Sequence, residues 1–280
     1  MGQGRHGIVR MSVPAWRAID SKRGPQLRLP PMSTAETGHL TRREVKRINR
    51  SRLAPRPTQF DYLHLKTLLE GLRRELSDLP APTRDVLDVY CGTRPYEALL
   101  PPGVTYVGMD VTDYAGVADV VTADFLPFPD ESFDLVLCTE AFDFVPDPVA
   151  GLAEMRRVLR PGGKLLMTVS LVWEYRRDIL QHRFSGPELA ALFGEGWDDV
   201  EVRENGGMAV AWAFVTGRLL QRVHRGLPRS LRVVLAPFVP IAYLLVNAVG
   251  AVLDRAQRTR AKSLTTLPMN LMVSARAAPE

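Results

Sequence analysis

Three aspartates stand where short apolar runs end: Asp88 after 85–87, Asp110 after 106–109, and Asp124 after 120–123. A carboxylate at such a tip accepts two hydrogen bonds at once, so Asp110 suits the adjacent hydroxyls of a ribose. Asp124 suits an exocyclic amine such as that of adenine. Between the first two runs, Gly92 lets backbone approach a ligand with no Cβ in the way. Together these residues predict a nucleoside pocket.

The elements that must position them follow from the same pattern. Each run is short and apolar or β-branched, as in buried parallel strands that reach the carboxyl edge of a sheet. Further strands are expected within 126–140, together with the loop leading into that strand, and at 164–170, 200–203 and 267–275, with helices over 62–76, 148–159 and 185–193. Leu63, Leu65, Leu68, Leu69, Leu72 and Leu76 form a helical stripe that should pack on the sheet. Pro101-Pro102 shortens the first crossover, and Pro161-Gly162-Gly163 ends a helix before the fifth strand.

In this order the chain resembles the class I S-adenosylmethionine-dependent methyltransferases over roughly residues 60 to 205. The resemblance rests on Asp88-Val-Tyr90-Cys91-Gly92, Asp110-Val111, Asp124-Phe125, the 126–140 segment ending in Thr139-Glu140, and Arg160-Pro161-Gly162-Gly163. It implies a Rossmann-like, doubly wound α/β fold. The expected sheet has seven mostly parallel strands with an antiparallel last strand and a helical insertion between strands six and seven. It also implies S-adenosylmethionine as cofactor, held by Asp88, Tyr90, Cys91, Gly92, Asp110, Val111, Asp124, Phe125 and Thr139. Tyr90 stands where the family's first turn has a glycine, so its ring must enter the sheet or fill the methionine end of the pocket. Arg94-Pro95-Tyr96 is a further departure and marks a subgroup.

At 280 residues and 46% hydrophobic content, the chain can bury one full core. The net charge of +5 hides a strong asymmetry. Residues 1–57 hold about 13 basic and about 3 acidic groups, and 207–262 about 9 and about 1. The expected organisation is a basic, largely disordered arm over 1–57, a catalytic domain over 58–206 and 263–280, and an apolar, basic helical insertion over 207–262. No apolar run follows the early charges, which predicts no secretory signal there. Cys91 and Cys138 read as small apolar fillers near the pocket.

The insertion carries apolar segments at 208–220 and 233–253, bordered by arginines. The second is about long enough to cross a bilayer, which needs roughly 20 apolar residues, but the first is too short to return. A helix pair lying at an anionic membrane surface is therefore expected, with a cap over the site or a homodimer surface as alternatives. The location implied is cytoplasmic, peripheral at the inner face of the membrane.

Two chemistries are disfavoured. No Asn/Asp-Pro-Pro-Tyr element follows the fourth strand, which argues against amine methylation on adenine or glutamine, and the glycines of a nicotinamide-binding turn are missing apart from Gly92. No metal-ligand cluster is evident. The expected acceptor is a small molecule, lipid or saccharide, with nucleic acid disfavoured. Glu140 and Asp143 stand where an acceptor would approach, and Tyr175 or His182 could assist deprotonation. The competing expectation is an inactive fold that docks on a membrane or partner.

Overall fold

The computed structural model describes residues 40–79, 82–122, 126–174, 179–258 and 267–279. Seven strands form one sheet in the order β3-β2-β1-β4-β5-β7-β6. They are β1 (Asp85–Val89), β2 (Thr105–Asp110), β3 (Val120–Val121), β4 (Phe133–Thr139), β5 (Leu159–Ser170), β6 (Trp197–Asn205) and β7 (Asn270–Ala277). β7 is antiparallel to both β5 and β6, while the pairs among β1 to β5 are parallel. This is the doubly wound class expected from the sequence.

Alternation along the central strands explains the two-sided core. In β4, Leu135 and Leu137 join one apolar cluster and Val136 and Cys138 the other, because successive side chains leave opposite faces. Helix α2 (Tyr62–Ser77) covers the first face with Leu68, Leu69, Leu72 and Leu76. Helix α3 (Pro148–Val158) covers the second with Leu152, Met155 and Val158. Asp147 caps α3 by accepting from the Ala150 N–H at 3.0 Å, and Pro148 supplies a pre-set first-turn φ. Beyond β5, a short helix α4 (Gly186–Ala191) begins at the Ser185 capping box.

Residues 42–53, where the sequence over 41–52 reads as a basic helical patch, form helix α1 (Arg42–Leu53), closed at its start by a Thr41–Glu44 capping box. One boundary differs from the sequence expectation. Strand β5 starts at Leu159, directly after α3: Leu159 pairs with Phe133, and residues 160–163 bulge out before the ladder resumes at Lys164 opposite Leu135. Of the expected arm, residues 1–39 lie outside the described residues.

Among the described residues the insertion holds three helices, α5 (Met208–Gly226), α6 (Arg229–Leu235) and α7 (Val239–Arg258), with a 3-10 turn at Ala236–Phe238. α5 buries Ala209, Val210, Ala213, Phe214 and Gly217 against α2, the Phe60 loop and α7. A Cβ on Gly250 of α7 would lie 2.8 Å from Leu63 and 2.9 Å from Ala213, so the absent side chain is what lets these helices touch.

Candidate active site

The first turn bends three times into left-handed backbone, at Tyr90 (φ 58), Gly92 (φ 55) and Arg94 (φ 57). Only one of the three is glycine. For the other two the conformation costs of the order of 1–2 kcal/mol each, strain that the surrounding contacts must hold. They do so at several points. Cys91 N–H donates to Met109 O at 3.0 Å, Gly92 N–H donates to Asp110 Oδ2 at 2.9 Å, and Asn49 of α1 exchanges hydrogen bonds with Thr93 at 2.6 and 2.7 Å.

Around this turn lies a cleft of about 300 Å³, the size of many small-ligand sites. Tyr90, Cys91, Gly92 and Thr93 form one wall, Asp110 and Tyr114 the second, and Thr139, Glu140 and Ala141 a third. Leu40, Ile48, Arg52 and Phe144 close it. Of the residues named from sequence, Tyr90, Cys91, Gly92, Asp110 and Thr139 therefore meet at one cavity.

Asp110 is aimed as expected. Its Oδ1 accepts from Thr112 N–H at 2.9 Å and its Oδ2 from Gly92 N–H, with the Val111 N–H also turned to the carboxylate, which leaves acceptor capacity toward the cleft. Burial raises its pKa, opposed by those backbone N–H groups. Tyr90 resolves its own alternative in both directions. Its ring belongs to the core cluster beneath the cleft, yet part of it faces the cavity, and its buried hydroxyl has no hydrogen-bond partner among the described residues.

Asp88 does not line the cleft. It is 1% exposed, its Oδ2 accepts from the Tyr106 hydroxyl, and its Oδ1 has no partner among the described residues. Arg94 stacks 4.4 Å over the Tyr106 ring and pairs with Asp119 at 2.9 Å, so Asp88 anchors a chain that braces the turn onto β2. Val111 packs against the core and is not among the lining residues. Asp124, Phe125 and Tyr175 lie outside the described residues. His182 is held structurally, stacked on Phe184 at 5.4 Å with Nε2 3.3 Å from Pro146 O. Both cysteines are free and buried, and burial drives both thiol pKa values up, which makes them inert fillers.

Burial pushes the Asp88 carboxyl up to about 7, against the lowering by the Tyr106 hydroxyl. A carboxyl whose folded value exceeds its ordinary one resists ionisation. Its contribution to stability is thus complete below about pH 4 and lost as the pH rises through about 7. Asp88→Asn is expected to flatten the stability curve across that interval relative to wild type. Urea unfolding of both proteins at about pH 4 and about pH 8 checks this; parallel curves would mean that Asp88 ionises freely.

Sequence reasoning noticed Glu140 but not how it is held. Glu140 has φ 56, donates its backbone N–H to Thr168, and has both carboxylate oxygens engaged. Ser170 Oγ donates to Oε2 and Asn270 Nδ2 to Oε1 at 2.8 Å, while His64 Nε2 stands 3.5 Å from Oε2. Asp143 lies buried nearby, bonded to Gln181 at 2.8 Å, and burial pushes its carboxyl up to about 6. Sequence charge counting also missed the part of α1 in the site. Leu40, Val45, Ile48 and Leu53 are the apolar signal that could have placed its inner face.

The methyltransferase-domain family profile matches residues 87–167, from β1 into β5. An uncharacterized methyltransferase of Mycobacterium tuberculosis (strain ATCC 25618 / H37Rv) is 35% identical over 136 residues, covering 45% of this chain and 53% of its own length. A demethylmenaquinone methyltransferase of Deinococcus radiodurans is 38% identical over 101 residues, covering 30% of this chain and 42% of its own length. The chain thus spans about half the length of the curated relatives it matches. Among solved structures, a chain of the complex between the Haloferax volcanii Trm112 methyltransferase activator and a methyltransferase superposes with a TM-score of 0.50 at 18% identity. That match covers 86% of this chain and 98% of the other, and at such identity the likeness concerns the fold.

Proposed function

Since the chain belongs to the class I S-adenosylmethionine-dependent methyltransferases, by its matched domain and its sheet order, we propose that it moves a methyl group from S-adenosylmethionine to a small organic acceptor. The observation that carries this reading is the convergence of Asp110, the 90–94 turn and Glu140 on one cleft.

The residues present fit the donor. The acceptor capacity that Asp110 keeps toward the cleft suits the ribose diol. The Tyr90 hydroxyl, which pairs with none of the described residues, suits its polar methionine end, and the space beside Gly92 is open, since a Cβ there would meet nothing within 4 Å. When bound, the donor supplies a sulfonium methyl open to in-line displacement. The chain's own contribution is to orient the acceptor and exclude water. Glu140, fixed by Ser170 and Asn270, can accept a hydrogen bond from an acceptor hydroxyl and hold the proton it releases.

Leu40, Ile48 and Phe144 give the cleft apolar closing walls. These walls, with the quinone named for the Deinococcus relative, support an aromatic or lipid-like acceptor over a saccharide. A second reading, an inactive fold that binds without turnover, draws on Tyr90 alone, because its ring occupies part of a turn that is otherwise bare. Calorimetric titration with S-adenosylmethionine separates the two. Binding at micromolar affinity with one site per chain is the expected result, and a flat titration with both the donor and S-adenosylhomocysteine would assign the inert fold.

A further inference from the structure

Helices that cover a sheet normally turn a polar face to water. The outer face of the insertion does the opposite. Along α5, Met208, Trp212, Val215, Leu219 and Val223 form an exposed stripe at helical spacing. The turn between α5 and α7 is more extreme: α6 has no buried residue, and Leu231, Val234, Leu235, Phe238 and Ile241 all project outward. Scattered exposed apolar residues need no explanation, but a contiguous stripe and tip of this kind mark a contact surface.

The charges around the tip define its partner. Arg225, Arg229 and Arg232 border it, and no ion pair holds any of them among the described residues. The two arginines further down α5, Arg218 and Arg222, are engaged by Glu174 at 2.7 and 2.9 Å. Within 208–258 the only carboxylate side chain is Asp254, at the far end of α7. We propose that this hairpin docks on an anionic lipid bilayer, with its apolar tip in the interfacial region and the three arginines at the level of the lipid phosphates.

Two alternatives fit the same surface less well. The helical stretch Arg229–Gln257 is long and apolar enough to span a membrane by length and composition, with a mean hydropathy of 2.0. Its midpoint, however, is fastened to the domain. Buried Asn247 donates to Pro57 O at 2.8 Å and to Gln59 O at 2.7 Å, and Gly250 packs directly on α2 and α5. A helix pinned this way lies along a membrane and does not cross it. A second copy meeting this face about a two-fold axis would set the three arginines of each chain against those of the other, with no acid between them.

The inner face of the same hairpin backs the site wall. Phe214 of α5 stacks on Trp173 at 5.1 Å and meets the edge of His64 at 5.6 Å, beside Glu140. Docking would therefore bring the acceptor side of the cleft toward the bilayer. The docking proposal stands on the surface alone and does not depend on methyl transfer.

The test uses the full chain and phosphatidylcholine vesicles with and without phosphatidylglycerol, read by flotation. Wild type should float with the anionic vesicles and remain in solution with the neutral ones. Reversing Arg225, Arg229 and Arg232 to Glu should weaken anionic binding roughly a hundredfold or more. Val234→Glu with Phe238→Glu should abolish it. All five substitutions fall on exposed side chains, so thermal melts and donor binding should be unchanged. Absence of flotation by wild type, or equal flotation of the variants, would overturn the proposal. A concentration-dependent dimer that Val234→Glu with Phe238→Glu dissociates, in a protein that ignores vesicles, would assign the face to a second copy.

Discussion

Asp110→Ala is expected to weaken S-adenosylmethionine binding by roughly a hundredfold or more while the sheet stays folded. Two charge-assisted hydrogen bonds to a ribose diol are lost, each worth about 1.5–3 kcal/mol. The substitution also strips acceptors from the Gly92 and Thr112 N–H groups, so part of any loss could come from a loosened turn. A second comparison isolates the direct contact. Wild type should bind adenosine far better than its 2′,3′-dideoxy analogue, and in Asp110→Ala that preference should vanish, since the group that reads the hydroxyls is gone. A variant that still prefers the diol would show that another residue holds it. The pH dependence has a definite sign. Burial raises the Asp110 pKa, and a protonated carboxyl accepts poorly, so wild-type affinity should fall as the medium is acidified.

What the sequence revealed of this site divides by range. Strand tips are local features: an apolar run that stops at an acid, followed by a glycine turn, was enough to bring Asp110 and Gly92 to one cleft. The same local signal could not tell Asp110 from Asp88, because both end a buried run. What separates them is a partner on another strand, the Tyr106 hydroxyl that takes up Asp88. Glu140 was visible as a carboxylate after β4, but the Asn270 that fixes it comes from β7, 130 positions away, across an insertion. Helix α1 was read by its arginines, which are the strongest compositional signal and mostly face water. Its function in the site comes from Asn49, Ile48 and Arg52, whose orientation is decided by docking against Thr93 and Tyr96 and not by anything within the helix.

Glu75→Leu is expected to destabilise the fold by about 3–5 kcal/mol, the usual consequence of removing one partner of a buried ion pair. Glu75 comes from α2 and is 6% exposed. It receives Lys164 Nζ of β5 at 3.0 Å and Arg203 Nη1 of β6 at 2.7 Å, so one carboxylate ties the covering helix to two strands. The two cations are not equivalent once it is gone. Arg203 is 44% exposed and can turn into water, whereas the Lys164 side chain is 5% exposed and, among the described residues, keeps only the Glu75 backbone carbonyl, also at 3.0 Å. The penalty should therefore follow Lys164. Lys164→Met added to Glu75→Leu should recover most of the loss, because two apolar side chains of similar size can replace a buried pair at little cost. Arg203→Gln added to Glu75→Leu should recover almost none. Urea unfolding of the set decides the matter: equal rescue by both second substitutions would place the strain in packing between α2 and the sheet and not in a stranded ammonium.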